Sequence, residues 1–473
     1  MTDTRKTSKR PKSKVGIAER FRLNSFFAGI GGFDFGFQQA GCDPVFHCEI
    51  STYCRSVLER HWPGVPVAED VNKVDASQLP AADIWCGGFP CQDVSVARGS
   101  KGRAGLKGKN TGLFYPFMKL VGEARPNVLL LENVTGLLNS HKGRDFLTVV
   151  KTLTEMGYGV AWRVFNTRYF GAPQSRPRVY ICAWLGDVSS AVASLYQAEG
   201  MHKPEDKRAG FLAPHRCETT GAVVPEVSYC LAATSGRHTG TDWSRSYVSY
   251  ANRVRRLTPA ECEGLQGFPL GWSVPSKNFR LQVEDIDTLR YHALGNAVST
   301  PVVKWVAGRI VSRLLSEAAK APALSRDLLG DAAGDLLKET YREFVLNSLR
   351  SQQLSVLANE AEKADYEVKW KSGGFATGDI ICDASSSPAP FAPIPSRFID
   401  VVEKREVADH YFLSPNAAEG ILRRVSGQNR VLFGPLQEAL VRLAAKASPR
   451  KDSPAAKHPS RHSDSANPNQ AAA

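Results

Sequence analysis

Between residues 22 and 186, short apolar runs alternate with stretches of helical period. Leu23–Phe27 predicts a strand, and the glycines after it predict a turn into a helix reaching about Ala40. Pro44–Ile50 predicts a second strand and Thr52–His61 a second helix. Asp83–Cys86 is a short buried strand, Leu113–Glu123 a helix, and Val128–Glu132 (VLLLE) a fully apolar strand; Val179–Leu185 is another strand. This alternation implies a mostly parallel sheet with helices on its faces. Ligands of such sheets sit at the carboxyl ends of the strands.

After Leu185 the pattern weakens. Residues 187–253 are loop-rich, and helical spacing returns over Thr258–Gln266 and Val302–Ala319. Residues 320–445 carry helix-like stretches, and SSSPAPFAPIPS at 385–396 has the composition of a linker. There is no internal repeat.

Composition narrows the class. A chain of 473 residues, 42% hydrophobic, can bury the cores of two or three domains. No apolar run has the length of a membrane span, and the N-terminus MTDTRKTSKRPKSK lacks the apolar core of a secretory signal. A cytoplasmic protein is expected. Ten cysteines in this length are read as reduced thiols, and with no zinc spacing no metal is expected. The net charge of +13 is concentrated at the ends. Residues 1–22 carry eight Lys/Arg against two Asp/Glu, and residues 446–473 five against two. Such tails suit an anionic polymer such as nucleic acid, and equally a solvated tail with no partner.

The candidate chemistry falls at the predicted strand ends. GGFPCQDVS (87–95) puts Cys91 behind turn-forming residues, where a thiol is presented rather than packed. Glu132 closes VLLLE, where desolvation favours the neutral acid. A thiol and a protonated acid make a working pair, although Glu132 alone also reads as a helix cap. Gln174, Arg176 and Arg178 alternate in APQSRPRVY and so share one face of a strand. Two guanidiniums there suit a carboxylate or phosphate, or ordinary surface ion pairs. Residues 92–112 interleave Arg98, Lys101, Arg103, Lys107 and Lys109 with glycines, as a lid over a phosphate backbone or an exposed linker would.

FFAGIGGFDFG (26–36) leaves the backbone bare at Gly29, Gly31 and Gly32. It is not a complete GxGxxG, which argues against a dehydrogenase. Glu49 and Asp70, at successive strand ends, can accept hydrogen bonds from ribose hydroxyls and an adenine amino group. One glycine turn and two acids suit a nucleoside without a pyrophosphate, and S-adenosylmethionine is such a ligand.

Taken in order, FAGIGG (27–32), Glu49, Asp70, GGFPCQ (87–92), ENV (132–134), QSRPR (174–178), RRLTPAECEGLQGFP (255–269) and GNAVSTPV (295–302) resemble the motifs of the DNA (cytosine-5)-methyltransferases of bacteria and phages, over about residues 22–315. The resemblance implies an α/β fold: a Rossmann-like S-adenosylmethionine-dependent methyltransferase sheet, a smaller loop-rich target-recognition domain and a C-terminal extension. The expected partition is a basic disordered tail (1–21), a catalytic domain (22–186), a target-recognition region (187–256), late motifs returning to the catalytic domain (257–319), a helical extension (320–445) and a second disordered basic tail (446–473). It implies that the target cytosine flips out, that Cys91 attacks C6 and that protonated Glu132 engages N3. Arg178 would hold Glu132 and the base, with Arg176, also in the catalytic set, and Gln174 positioning the loop or backbone. Phe27, Gly29, Gly31, Gly32 and Pro90 would line the cofactor pocket. Glu49 would bind ribose, Ile50 would pack on adenine, Asp70 and Val71 would read its edge, and Asn296 would close the pocket. Gln92, Ser95, Arg98, Lys101, Arg103 and Gln174 would meet DNA. The helices near 301–318 would pack back on the N-terminal sheet. The implied partner is double-stranded DNA, with no membrane; the protein would act as a monomer, and a cognate restriction endonuclease is compatible.

Both tails and the extension depart from the family pattern. YFLSPNAAEGILRR (411–424) loosely resembles a segment that some relatives carry beside the target-recognition region, yet here it follows the last motif. It reads as an auxiliary DNA-contacting module or as a helical cap. An RNA cytosine methyltransferase of the same fold is the alternative, against which the sequence after PCQ speaks. A catalytically silent DNA-binding protein lacks support, since Cys91, Glu132 and the glycine turn are all present.

Overall fold

The computed structural model describes residues 20–90, 111–197, 210–235, 242–280, 286–320, 350–361, 363 and 366–447. The expected tails lie outside these, except that Arg20 pairs with Asp43 at 2.7 Å, Phe21 already belongs to the first strand, and Lys446 and Ala447 continue the last helical turn.

The catalytic sheet takes β1 (Phe21–Phe26), β2 (Cys42–Cys48), β3 (Val67–Ala68), β4 (Ile84–Gly87), β5 (Val128–Val134), β6 (Tyr158–Asn166) and β7 (Pro177–Leu185). Between them run α1 (Gly32–Gln39), α2 (Thr52–His61), α3 (Phe114–Ala124) and α4 (Arg144–Glu155); α5 (Val188–Leu195) follows β7. The strand order is β3-β2-β1-β4-β5-β7-β6, with β7 antiparallel to both neighbours. The apolar run of β5 reflects burial on two faces. Leu129 and Leu131 pack with α3 and α4, while Val128 and Leu130 pack with α1 and with the late helix α8 (Thr300–Lys320). At Gly36 of α1 an added Cβ would lie 2.5 Å from Val303, so the late helix approaches the first one closely.

Several sequence expectations change. The pair α4–β6 was not foreseen. Helix α5 opens the expected target-recognition region but packs on the catalytic sheet with Ala191 and Leu195 fully buried. The smaller sheet is β8 (Pro214–Arg216), β9 (Val223–Pro225), β10 (Tyr247–Ser249) and β11 (Val254–Arg256), antiparallel throughout. Helices α6 (Pro259–Gln266) and α7 (Ile286–Asn296) lead back to the catalytic unit. Thr258 caps α6 with a reciprocal Glu261 contact and Pro259 in the first turn, a start written in TPAE.

The extension is not simply helical. It contains α9 (Leu354–Ala361), but β12 (Arg350–Gln353), β13 (Gly373–Thr377) and β14 (Ile380–Ala384) lengthen the catalytic sheet beyond β6. These strands are too short for their alternation to stand out, and β13 and β14 join through Gly378 at φ +50°. Residues 385–396 are not a free linker. Buried Arg163 of β6 donates to the carbonyls of Ser387 and Ala389 at 3.0 and 2.6 Å, so the proline-rich strap is fixed to the sheet. Beyond it come α10 (Phe398–Val401), α11 (Pro415–Gly427) and α12 (Gly434–Ala444). No helix among the described residues is long and apolar enough to cross a membrane.

Candidate active site

Three parallel strand ends build an acidic cradle. Beyond β1 the chain turns through Phe27 (φ +53°) and Gly29 (φ +56°), and Gly31 (φ +80°) caps α1 in the left-handed region. A Cβ on Gly29 would meet no atom within 4 Å, so open space lies over the turn. A Cβ on Gly32 would lie 2.7 Å from Val298, which seats the late motif against this turn. Glu49, just past β2, accepts from the backbone N–H of Gly29 and of Ser51, both at 2.8 Å. Burial pushes its carboxyl pKa up, while the Ser51 and Gly29 amides and Arg55 pull it down; burial wins. Beside it Ile50 is 74% exposed, an apolar side chain standing at the mouth of the cradle. The β2–β3 pairing brings Asp70 to the same edge. Asp70 Oδ1 accepts from the Asn72 backbone and side-chain amides at 3.0 and 2.8 Å, which hold its pKa below the usual range. Val71 next to it is buried.

Residues that the sequence reading missed fix this cradle from behind. Trp272 donates from Nε1 to the carbonyl of Ile30 at 2.8 Å and stacks on His61 at 3.6 Å. Asp34, fully buried in α1, accepts from Ser25 at the end of β1 and meets His47 of β2, each at 3.0 Å. Trp272 follows GFPLG and could have been singled out as an aromatic in a motif. His47 and Asp34 carry no local signal, because only the sheet brings them together.

The second cluster lies at the ends of β4, β5 and β7. Glu132 is almost wholly buried, its Oε1 3.2 Å from Nε of Arg178 but poorly aligned for a hydrogen bond. Burial raises its pKa, against the opposing charges of Arg178 and Arg176. Its other oxygen faces Gly88, where a Cβ would come within 3.6 Å. Asn133 donates to the carbonyl of Phe89 at 3.1 Å, so β5 holds the segment leading to Cys91. Pro90, half-buried, is the last described residue before Cys91. Cys91, Gln92, Ser95, Arg98, Lys101 and Arg103 lie outside the described residues.

Two side chains hold backbone, as their expected positioning role implies, but burial removes the DNA contact expected of Gln174. Gln174, expected at DNA, is fully buried. Its amide donates to Leu265 O and Gln266 Oε1 at 2.9 and 3.2 Å, and its oxygen accepts from Leu231 N at 2.8 Å. Arg176 is 3% exposed and donates to the carbonyls of Leu231, Gly295 and Ala297 at 3.0, 3.1 and 2.7 Å. Both precede β7, so they do not lie on the strand face expected of them; α6 and residues 230–231 cover them instead. Arg176 is therefore a bracket that joins the catalytic sheet, the recognition region and the late motif. Asn296, flanked by two of its acceptor residues, is exposed at the end of α7. Cys230, also missed, sits 3.5 Å from Arg176 and 3.8 Å from Arg178, and these cations hold its thiol pKa down against burial.

The C-5 cytosine-specific DNA methylase family model matches residues 21–225 and 216–312, more than half of the chain. The chain belongs to this family. It is a DNA methyltransferase of the cytosine C-5 class. Among its relatives are Type II methyltransferase M2.BsuMI of Bacillus subtilis (strain 168), 30% identical over 60% of this chain and 74% of that protein. Type II methyltransferase M.NgoBI of Neisseria gonorrhoeae is 31% identical over 60% and 91%. The solved structure of the Entamoeba histolytica methyltransferase EhMeth is 16% identical, with a TM-score of 0.46 over 63% of this chain and 99% of that one. The methylase match ends at residue 312, so the extension that lengthens the sheet stands outside it.

Proposed function

We propose that this DNA methylase flips a cytosine out of a short duplex site and modifies C5 through a covalent Cys91 adduct, with S-adenosylmethionine as methyl donor. The observation that carries the reading is Glu132, a buried acid biased to its protonated form, held by β5 beside the segment that leads to Cys91. The cradle fits the donor: its acids disfavour a pyrophosphate, while a bare glycine turn, two carboxylates and an exposed isoleucine suit an adenosine and a cationic sulfonium. Glu49 would take the ribose hydroxyls, Ile50 the adenine face, Asp70 and Val71 the adenine edge, and Phe27, Gly29, Gly31, Gly32, Pro90 and Asn296 the remaining wall. S-adenosylmethionine supplies, when bound, the electrophilic methyl group that C5 receives.

The chain's own residues do the rest. The Cys91 thiolate bonds to C6, and the electron pair displaced from the C5–C6 double bond is stabilised by the proton Glu132 shares with N3. Arg178, against Glu132, keeps that acid oriented. Once C5 is substituted, its proton leaves to a base and the C6–S bond breaks to return the thiolate. Gln92, Ser95, Arg98, Lys101 and Arg103 would meet the DNA. Pairing with a restriction endonuclease is part of the same proposal, resting on the Type II relatives.

Bisulfite sequencing of DNA from cells expressing the protein, beside a Cys91→Ser control, tests this. Methylcytosine at one short motif, absent from the control, is the expected result; loss of activity on the order of 10⁵-fold accompanies it in vitro. A Cys91→Ser protein that methylates at near wild-type rate would remove Cys91 as nucleophile. Methylation confined to RNA would move the activity to another substrate.

A further inference from the structure

Two segments far apart in the chain share one core. The sheet β8–β11 has strands of three residues, too small to bury its own apolar face. Val223, Tyr247 and Val254 of that sheet pack instead with Ile421, Leu436 and Leu440 of α11 and α12. The backbone joins as well: Leu413 N donates to Val254 O at 2.8 Å, and Phe398 N to Glu226 O at 2.7 Å. Arg424 donates to the fully buried Asp242 at 2.8 Å, Arg430 stacks on Trp243 at 4.4 Å, and Arg442 donates to Ala251 O at 3.1 Å. Neither segment covers its apolar side without the other.

The seam between them is concave. A groove of about 850 Å³ has Thr219, Thr220 and Arg253 on one bank and Lys404, Arg405 and Glu406 on the other. At its end Arg253 lies 3.6 Å over the Phe412 ring and pairs with Asp409 at 3.0 Å, so the two banks are locked in register. Hydroxyls, cations and carboxylates line it beside Tyr250, Val407 and Phe412. The cations and hydroxyls suit phosphates, and the carboxylates can accept from base amino groups.

We infer that residues 398–447 are the second half of this protein's target-recognition unit and that the seam groove meets duplex DNA. Site choice is then encoded in two separated segments, the later one beyond the methylase match. The inference rests on the reading of residues 187–256 as the target-recognition region.

The test uses the full chain and the duplex site found by methylation mapping. Absence of any methylated site would defeat the proposed function itself, before this inference is reached. Given a site, Lys404→Ala combined with Arg405→Ala is expected to raise the duplex Kd about tenfold. The slope of log affinity against log salt should become shallower by about two, one phosphate contact per cation. Cofactor affinity by calorimetry stays unchanged, which shows that the variant is folded. Unchanged duplex affinity and slope would overturn the inference. Hydrogen exchange on the unmutated chain gives an independent readout: duplex binding should protect residues 404–412 together with 219–220 and 250–253. Protection confined to the earlier segment would overturn it too.

Discussion

The carboxyl edge of the catalytic sheet and the recognition unit are made from opposite kinds of sequence. At the catalytic edge each functional group sits within a few residues of a strand end, and the strand is marked by its own apolar run. Glu132 lies two residues before the end of Val128–Val134, and Glu49 follows Cys42–Cys48. In the recognition unit the strands are three residues long, and the helices that cover them arrive from the other side of the late motifs. The proposed chemistry is placed at one edge of a large sheet whose central strands are buried on both faces. The proposed recognition unit is a small sheet that needs a distant segment to cover it. Arg176 ties the two together, since its guanidinium reaches Leu231 on one side and Gly295 and Ala297 on the other.

The largest effect expected from breaking this arrangement is at Glu132. Glu132→Gln keeps the shape but removes the proton to be shared, and the methylation rate should fall about 10²- to 10⁴-fold with cofactor affinity unchanged. Stability should move the other way. Burial raises the folded pKa above the ordinary value of 4.5, so stability from this group is present below that value and lost as pH rises through the folded pKa. Gln has no proton to lose, and Arg178 keeps the Pro177 carbonyl. The variant should therefore gain stability over the wild type as pH rises, measured by urea unfolding at pH 5 and pH 8. A constant difference between the two pH values would show that Glu132 is ionised in the folded chain.

This contrast also explains what could be read from the chain. The strands β1, β4, β5 and β7, the turn at 26–36 and the place of Glu132 near a strand end were legible because each is written locally. Asp34 with His47, and Trp272 beneath Ile30, were not, because a sheet and a late loop create those contacts. Gln174 and Arg176 show the limit of a periodicity argument. Alternation said that they share a strand face, but both precede β7, and tertiary packing covers them. The strands β12–β14 were hidden by their length, and the strap at 385–396 by a composition that suits either a linker or an extended, pinned segment.

An intermediate effect is expected at the bracket. Arg176→Met takes the guanidinium from three buried carbonyls, of which that of Ala297 keeps the Gln266 amide at 3.2 Å, and it also removes a buried cation. The net cost should be about 2–4 kcal/mol. Urea unfolding should show it, and duplex and cofactor binding should weaken together, since the bracket serves both regions. Loss of one without the other would mean that the regions are coupled by some other contact.

The smallest effect should sharpen the comparison rather than break it. Arg424 is 34% exposed in its side chain, so its ion pair with buried Asp242 is partly screened. Asp242 also accepts from Tyr247 at 2.9 Å, so it is not stranded when Arg424 is lost. Arg424→Ala should cost about 1–2 kcal/mol. Because the recognition unit has its own core, that cost should fall on local opening rather than on the whole molecule. Amides of 242–249 and 415–427 should exchange faster by about five- to thirtyfold, while those of β1, β4 and β5 keep their protection. If the catalytic strands loosen equally, the two regions unfold as one unit, and the division of labour between them has no counterpart in stability.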